Sequence, residues 1–137
     1  MIYVDTAALV KLVRREVESD ALADWLDDQR GVTLLSSTLA EVELPRALRR
    51  TEPELLSAVP ALLQRIARYE IDELVRDTAA GYTDPHLRSH DGIHLATAHA
   101  VFGPQLSAFL TYDQRLLDAA AALGLPVRCP GRIVPPA

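Results

Sequence analysis

Apolar residues in this chain fall in short β-prone runs separated by helix-period stretches. Ile2–Val4 predicts a first strand ending at Asp5, and Thr6 stands where it can cap a helix over 7–13. A helix follows from Ser19 or Asp20 to about 29, broken by Gly31, and then a second apolar strand over 32–35. Ser36, Ser37 and Thr38 supply caps for a helix with Glu41 and Glu43 in its first turns. Pro45, which has no N–H to donate, predicts a kink near Glu43. Leu55, Val59, Leu62, Leu63 and Ile66 are spaced for one helix over 54–68. A weak strand over 69–71, a helix over 72–80 and a polar loop over 81–89 come next. An Ala-rich helix over 92–101 is entered through Ser89-His90-Asp91. The pattern ends with a strand over 107–110, a helix over 113–123 stopped by Gly124, and a short strand Val127–Arg128. Strands alternating with helices predict βαβ units, and so a three-layer α/β/α domain with a central, mainly parallel sheet. One such domain accounts for 1–134, with 135–137 as a frayed tail.

Four acidic residues fall just past strand-like runs or at helix entrances: Asp5, Glu43, Asp91 and Asp113. In an open α/β sheet the carboxyl ends of the strands line one crevice. Carboxylates gathered there repel one another unless a cation offsets their charge. Oxygen-only ligands suit Mg²⁺ or Mn²⁺, so the pattern points to a metal-dependent site acting on phosphate.

Composition narrows the classes. The 137 residues are 49% hydrophobic and 24% charged, as in an ordinary globular domain, and a net charge of -5 argues against coating nucleic acid by bulk electrostatics. A nuclease with an acidic centre beside a local basic patch is compatible with that charge. Lys11 is the only lysine, so positive charge is almost all arginine, the better bidentate phosphate ligand. Cys129 is a lone thiol, which excludes an internal disulfide and reads as inert. The start of the chain lacks the basic and apolar regions of a leader, and no stretch is long enough to span a membrane. The expected location is cytoplasmic.

Four stretches carry a family resemblance. Met1-Ile2-Tyr3-Val4-Asp5-Thr6-Ala7-Ala8-Leu9-Val10-Lys11-Leu12 resembles the opening of PIN-domain proteins of the VapC toxin type. Ser36-Ser37-Thr38-Leu39-Ala40-Glu41-Val42-Glu43-Leu44-Pro45-Arg46-Ala47-Leu48 resembles their second acidic motif. Leu87-Arg88-Ser89-His90-Asp91-Gly92-Ile93-His94-Leu95-Ala96-Thr97-Ala98 resembles the third, and Phe109-Leu110-Thr111-Tyr112-Asp113-Gln114-Arg115-Leu116 the fourth. They occur in the family's order and span nearly the whole chain. The resemblance implies a Mg²⁺- or Mn²⁺-dependent endoribonuclease, held inactive by a cognate VapB-type antitoxin, and it implies a homodimer. Hydrophobic helix faces between Glu54 and Arg68, more than one small sheet needs, point the same way. On this reading Asp5, Asp91 and Asp113 are metal ligands, and Glu43 completes the catalytic acidic set. Thr6 and Thr111 offer hydroxyls that orient water or a carboxylate.

Plainer roles compete at each position. Asp5, Asp91 and Asp113 would each serve as an ordinary helix N-cap. Glu41 competes with Glu43, which aligns better with Leu44 and Arg46-Ala47-Leu48; Glu41 then reads as a solvated first-turn carboxylate. Arg46 and Arg50 share a face with Glu43 and suit RNA phosphates or an acidic antitoxin segment, against the alternative of a solvated basic face. Arg115 contacts substrate or forms a surface ion pair. His90-Asp91-Gly92-Ile93-His94 has the histidine spacing of a zinc-hydrolase helix, but Gly92 weakens that helix and no third ligand follows at a diagnostic spacing. His94 reads as a packed, hydrogen-bonded residue. Two other classes remain open: a phosphoacceptor signalling domain, and a catalytically silent module that binds RNA or a partner.

Overall fold

A computed structural model of the chain describes residues 1–132, so the tail expected at 135–137 lies outside the described residues. Five short strands form one sheet, all of them parallel, in the order β3-β2-β1-β4-β5. They are β1 (Ile2–Val4), β2 (Leu34–Ser37), β3 (Ala67–Tyr69), β4 (Ala108–Leu110) and β5 (Val127–Arg128). The helices are α1 (Thr6–Val13), α2 (Ser19–Asp27), α3 (Ala40–Thr51), α4 (Val59–Gln64), α5 (Glu73–Gly81), α6 (Ser89–Ala96) and α7 (Gln114–Ala122). Side chains alternate across a strand, and the core divides accordingly. Ile2, Val4, Ala108 and Leu110 pack under α1 to α4 with Leu9, Leu22, Leu44, Leu48 and Leu62. Tyr3 and Phe109 face the other way, against Leu95, Leu116 and Ala120 of α6 and α7. Both faces of the sheet are thus covered, as a parallel sheet requires.

The chain lays down β1, β2 and β3 toward one edge and returns to place β4 on the other side of β1. The strand order reverses between β1 and β4, and at such a switch point a crevice opens past the strand ends. Helix caps fix the entrances. The Asp5 carboxylate accepts from the Ala8 N–H at 2.9 Å, Asp72 caps α5 through Val75, and Asp113 caps α7 through the Arg115 and Leu116 N–H groups. Past α7, Gly124 has a φ of 79°, the left-handed conformation that commonly ends a helix.

Several local expectations are corrected. Asp5, not Thr6, caps α1. Strand β2 lies two residues later than the apolar run, so Ser36 and Ser37 are strand residues; pairing with β3 at Ser36↔Arg68 and Ser37↔Tyr69 draws them in. The helix expected over 54–68 is a 3-10 turn, Pro53–Ala58, followed by the short α4. Pro60 cannot donate to the preceding turn, which divides the two. Its apolar residues join the core: Val59, Leu62 and Ile66 are buried, and the half-buried Leu55, Leu56 and Leu63 pack against them. Strand β3 starts at Ala67, ahead of the run at 69–71. The helix over 92–101 begins earlier, at Ser89, and widens into a π-helical turn at Thr97–Phe102. Among the described residues, no helix is long and apolar enough to cross a membrane.

Candidate functional site

A cavity of about 430 Å³ opens at the carboxyl ends of β1 and β4, lined by Asp5, Glu43, Asp91 and Asp113. Each acidic residue arrives from a different segment. Asp5 follows β1 directly and is 3% exposed. Thr111 follows β4, and its hydroxyl donates to Asp5 Oδ2 at 2.5 Å while accepting from the Asp113 N–H at 3.1 Å. One threonine thus ties two of the acidic residues together. Asp91 is buried in the first turn of α6, where its Oδ2 accepts from the Arg88 N–H at 3.2 Å. Its Oδ1 is 3.2 Å from His90 Nε2.

Glu43 projects from the first turn of α3 into the same space. Its Oε1 accepts from the Thr6 hydroxyl at 2.8 Å and lies 2.7 Å from His94 Nε2. Glu41 points elsewhere, 3.4 Å from Arg68, and is absent from the cavity wall. Arg46 and Arg50 do line the cavity, one and two turns beyond Glu43. Arg115 does not; its Nε sits 3.7 Å from Asp113 Oδ1 on the surface. Val10, Val42 and Ala47 complete an apolar part of the wall. His90 and His94 both reach the cavity, and sequence reasoning assigned neither a part in it. The available signal was their four-residue spacing on the helix bearing Asp91, which sets both on that helix's cavity side.

Electrostatics distinguish the carboxylates. Burial pushes the Asp5 carboxyl up to about 6; the facing His94, the Thr111 hydroxyl and the Ala8 N–H pull it down, and the Asp113 charge pushes it up. Burial also acts to raise Glu43, but the hydrogen bonds from His94 and the Thr6 hydroxyl hold it below the usual carboxylate range. Tyr3, behind His94, is pushed well above an ordinary phenol by burial and keeps its proton.

The donors facing the cavity are mostly carboxylate oxygens, which suit a hard divalent cation. Asp5 is a desolvated carboxylate that its protein neighbours leave incompletely neutralised, as its raised pKa reports. Among the described residues, no three carboxylate, imidazole or thiol groups stand close enough to chelate an ion by themselves. Such spacing leaves a hard divalent cation, Mg²⁺ and Mn²⁺ alike, to complete its shell with water. It also gives the two histidines no tetrahedral zinc set.

Comparisons with known proteins agree with this architecture. The family model for the PIN domain matches residues 2–122. The chain is 56% identical to Ribonuclease VapC35 of Mycobacterium tuberculosis over 133 residues, covering 96% of this chain and 98% of that one. It is 40% identical to Ribonuclease VapC46 of the same organism, covering 94% and 97%. Among solved structures, FitAcB from Neisseria gonorrhoeae superposes with a TM-score of 0.63 at 23% identity, covering 93% of this chain and 96% of that one, a likeness of fold. With the domain matched over nearly its whole length and relatives of this identity, the chain belongs to the PIN-domain family, in its VapC branch.

Proposed function

We propose that this protein is the toxin of a toxin–antitoxin pair, a divalent-metal-dependent endoribonuclease that hydrolyses RNA phosphodiester bonds in the acidic cavity. The observation that carries the reading is the convergence of Asp5, Glu43, Asp91 and Asp113, from four separate segments, on one cavity at the sheet's switch point. Relatives named as ribonucleases support the RNA substrate.

In this reading Asp5, Asp91 and Asp113 hold Mg²⁺ or Mn²⁺, directly or through water. A cation bound there would activate water at neutral pH and offset negative charge on the phosphate. Thr111 holds Asp5 and the Asp113 backbone in register, and Thr6 orients Glu43. Arg46 and Arg50, on the cavity wall, receive RNA phosphates flanking the scissile bond. The antitoxin, of the VapB type, and a homodimeric state belong to the same proposal and rest on the family. The phosphoacceptor alternative lacks its lysine: Lys11 is engaged with Glu16 and Glu18 at 3.3 and 3.0 Å and lies over the Tyr112 ring.

The test is cleavage of total cellular RNA by purified, antitoxin-free protein with Mg²⁺, with Mn²⁺ and with chelator, alongside Asp5→Ala. Discrete cuts that need the metal and fall at least about 100-fold in the variant are expected. A folded protein that makes no cut under any metal would overturn the reading in favour of a silent binding module.

A further inference from the structure

Tyr3 and His94 have no part in the chemistry described so far, yet His94 lines the cavity and Tyr3 is buried directly behind it. Tyr3 is fully buried; it stacks on Phe109 with ring centroids 5.4 Å apart and meets the His94 ring edge-on at 5.8 Å. Its hydroxyl oxygen lies 2.7 Å from His94 Nδ1. On the other side of the imidazole, Nε2 is 2.7 Å from Glu43 Oε1 and 3.2 Å from Thr6 Oγ1. The ring, 2% exposed, is therefore held at both nitrogens. A carboxylate can only accept, so the 2.7 Å contact to Glu43 puts a proton on His94 Nε2, and the neutral ring then accepts from the Tyr3 hydroxyl at Nδ1. Thr6 donates to the same Oε1 atom, so Oε2 is the oxygen left for a ligand.

A buried neutral imidazole has one donor and one acceptor nitrogen to satisfy, so what marks His94 is which partners it takes. It bridges the central strand β1 to a carboxylate on α3, from a place on α6. We propose that Tyr3 and His94 are positioning residues: Tyr3 holds His94 in the tautomer with its proton on Nε2, and His94 with Thr6 fixes the orientation in which Glu43 meets the cavity. The proposal rests on the nuclease reading and adds to it a relay from the sheet core to the site. Partners in such an outer shell commonly change metal affinity or activity by about 10–100-fold.

The experiment compares His94→Leu, His94→Gln and Tyr3→Phe in the full chain. Three measurements are made: cleavage kcat and KM, Mn²⁺ binding by electron paramagnetic resonance, and the histidine tautomer by long-range ¹H–¹⁵N NMR. His94→Leu is expected to lower kcat and Mn²⁺ affinity by about 10–100-fold, with KM for RNA and the circular dichroism spectrum unchanged. His94→Gln, whose amide still donates toward Glu43, recovers to within roughly fivefold of the parent, and Tyr3→Phe loses roughly 3–10-fold. NMR places the ring proton on Nε2 in the parent and moves it toward Nδ1 in Tyr3→Phe. A glutamine variant as poor as the leucine variant, or a parent ring proton on Nδ1, would overturn the proposal. If His94→Leu does not fold, the glutamine and phenylalanine variants decide it. Should the parent cut no RNA, the nuclease reading falls by itself; NMR and Mn²⁺ binding still decide the His94–Glu43 link.

Discussion

At Asp5 one carboxylate both caps α1 and faces the cavity, and burial raises its pKa to about 6. The folded protein then holds that proton more tightly than the unfolded chain does. The resulting stability is fully present below the unfolded value of 3.8 and is lost as pH rises through about 6, on the order of 3 kcal/mol. Asp5→Asn keeps a residue that caps as well as aspartate and removes the charge. In metal-free protein, urea denaturation between pH 4 and 7.5 should show the variant gaining on the parent as pH rises. A gap between the two that stays constant with pH would mean that Asp5 carries no such burden. Legibility divides along the same residues. Asp5, Asp91 and Asp113 stand out in the sequence because strand ends and helix entrances are local signals. His94 does not, because its partners Tyr3 and Glu43 lie 91 and 51 positions away, and nothing local in an imidazole announces which carboxylate it will face.

The helix α3 carries most of what one element adds to the site. Leu44 and Leu48, fully buried, fasten it to the sheet, and the opposite spacing brings Glu43, Arg46 and Arg50 to the cavity. Pro45 sits in its second turn and withholds the bond that the Glu41 carbonyl would accept. Pro45→Ala restores that donor and should raise stability by roughly 1–3 kcal/mol in urea denaturation. If it also lowers cleavage, the proline has a part in aiming Glu43. The two arginines are separable from the acidic set: Arg46→Ala and Arg50→Ala should each raise KM for RNA and reduce the salt slope by about 0.7, leaving kcat nearly unchanged. A fall in kcat with KM constant would place them at the reacting phosphate. At this scale periodicity served for α1, α5 and α7, where a side-chain cap and an apolar face agree. It failed over 53–66, where the apolar spacing is helical but Pro60 breaks the hydrogen bonding.

In the whole molecule, the parallel three-layer architecture was legible because strands and helices alternate. The exact extent of β2 and β3 was not, because edge pairing rather than side-chain pattern determines which residues of a short strand are drawn in. The switch point between β1 and β4 joins residues far apart in the chain: Asp5 and Thr111 are 106 positions from each other. At synthesis rates of about 5–20 residues per second, translating that interval takes roughly 5–20 s. Once Glu43 has been made, the growing polypeptide bears two of the four acidic residues but has no completed β4 to pair with β1, no Thr111 to steady Asp5, and no Asp113. A nuclease arranged in this order is unarmed while it is being translated, because its site closes only once the last strands of the sheet have been made.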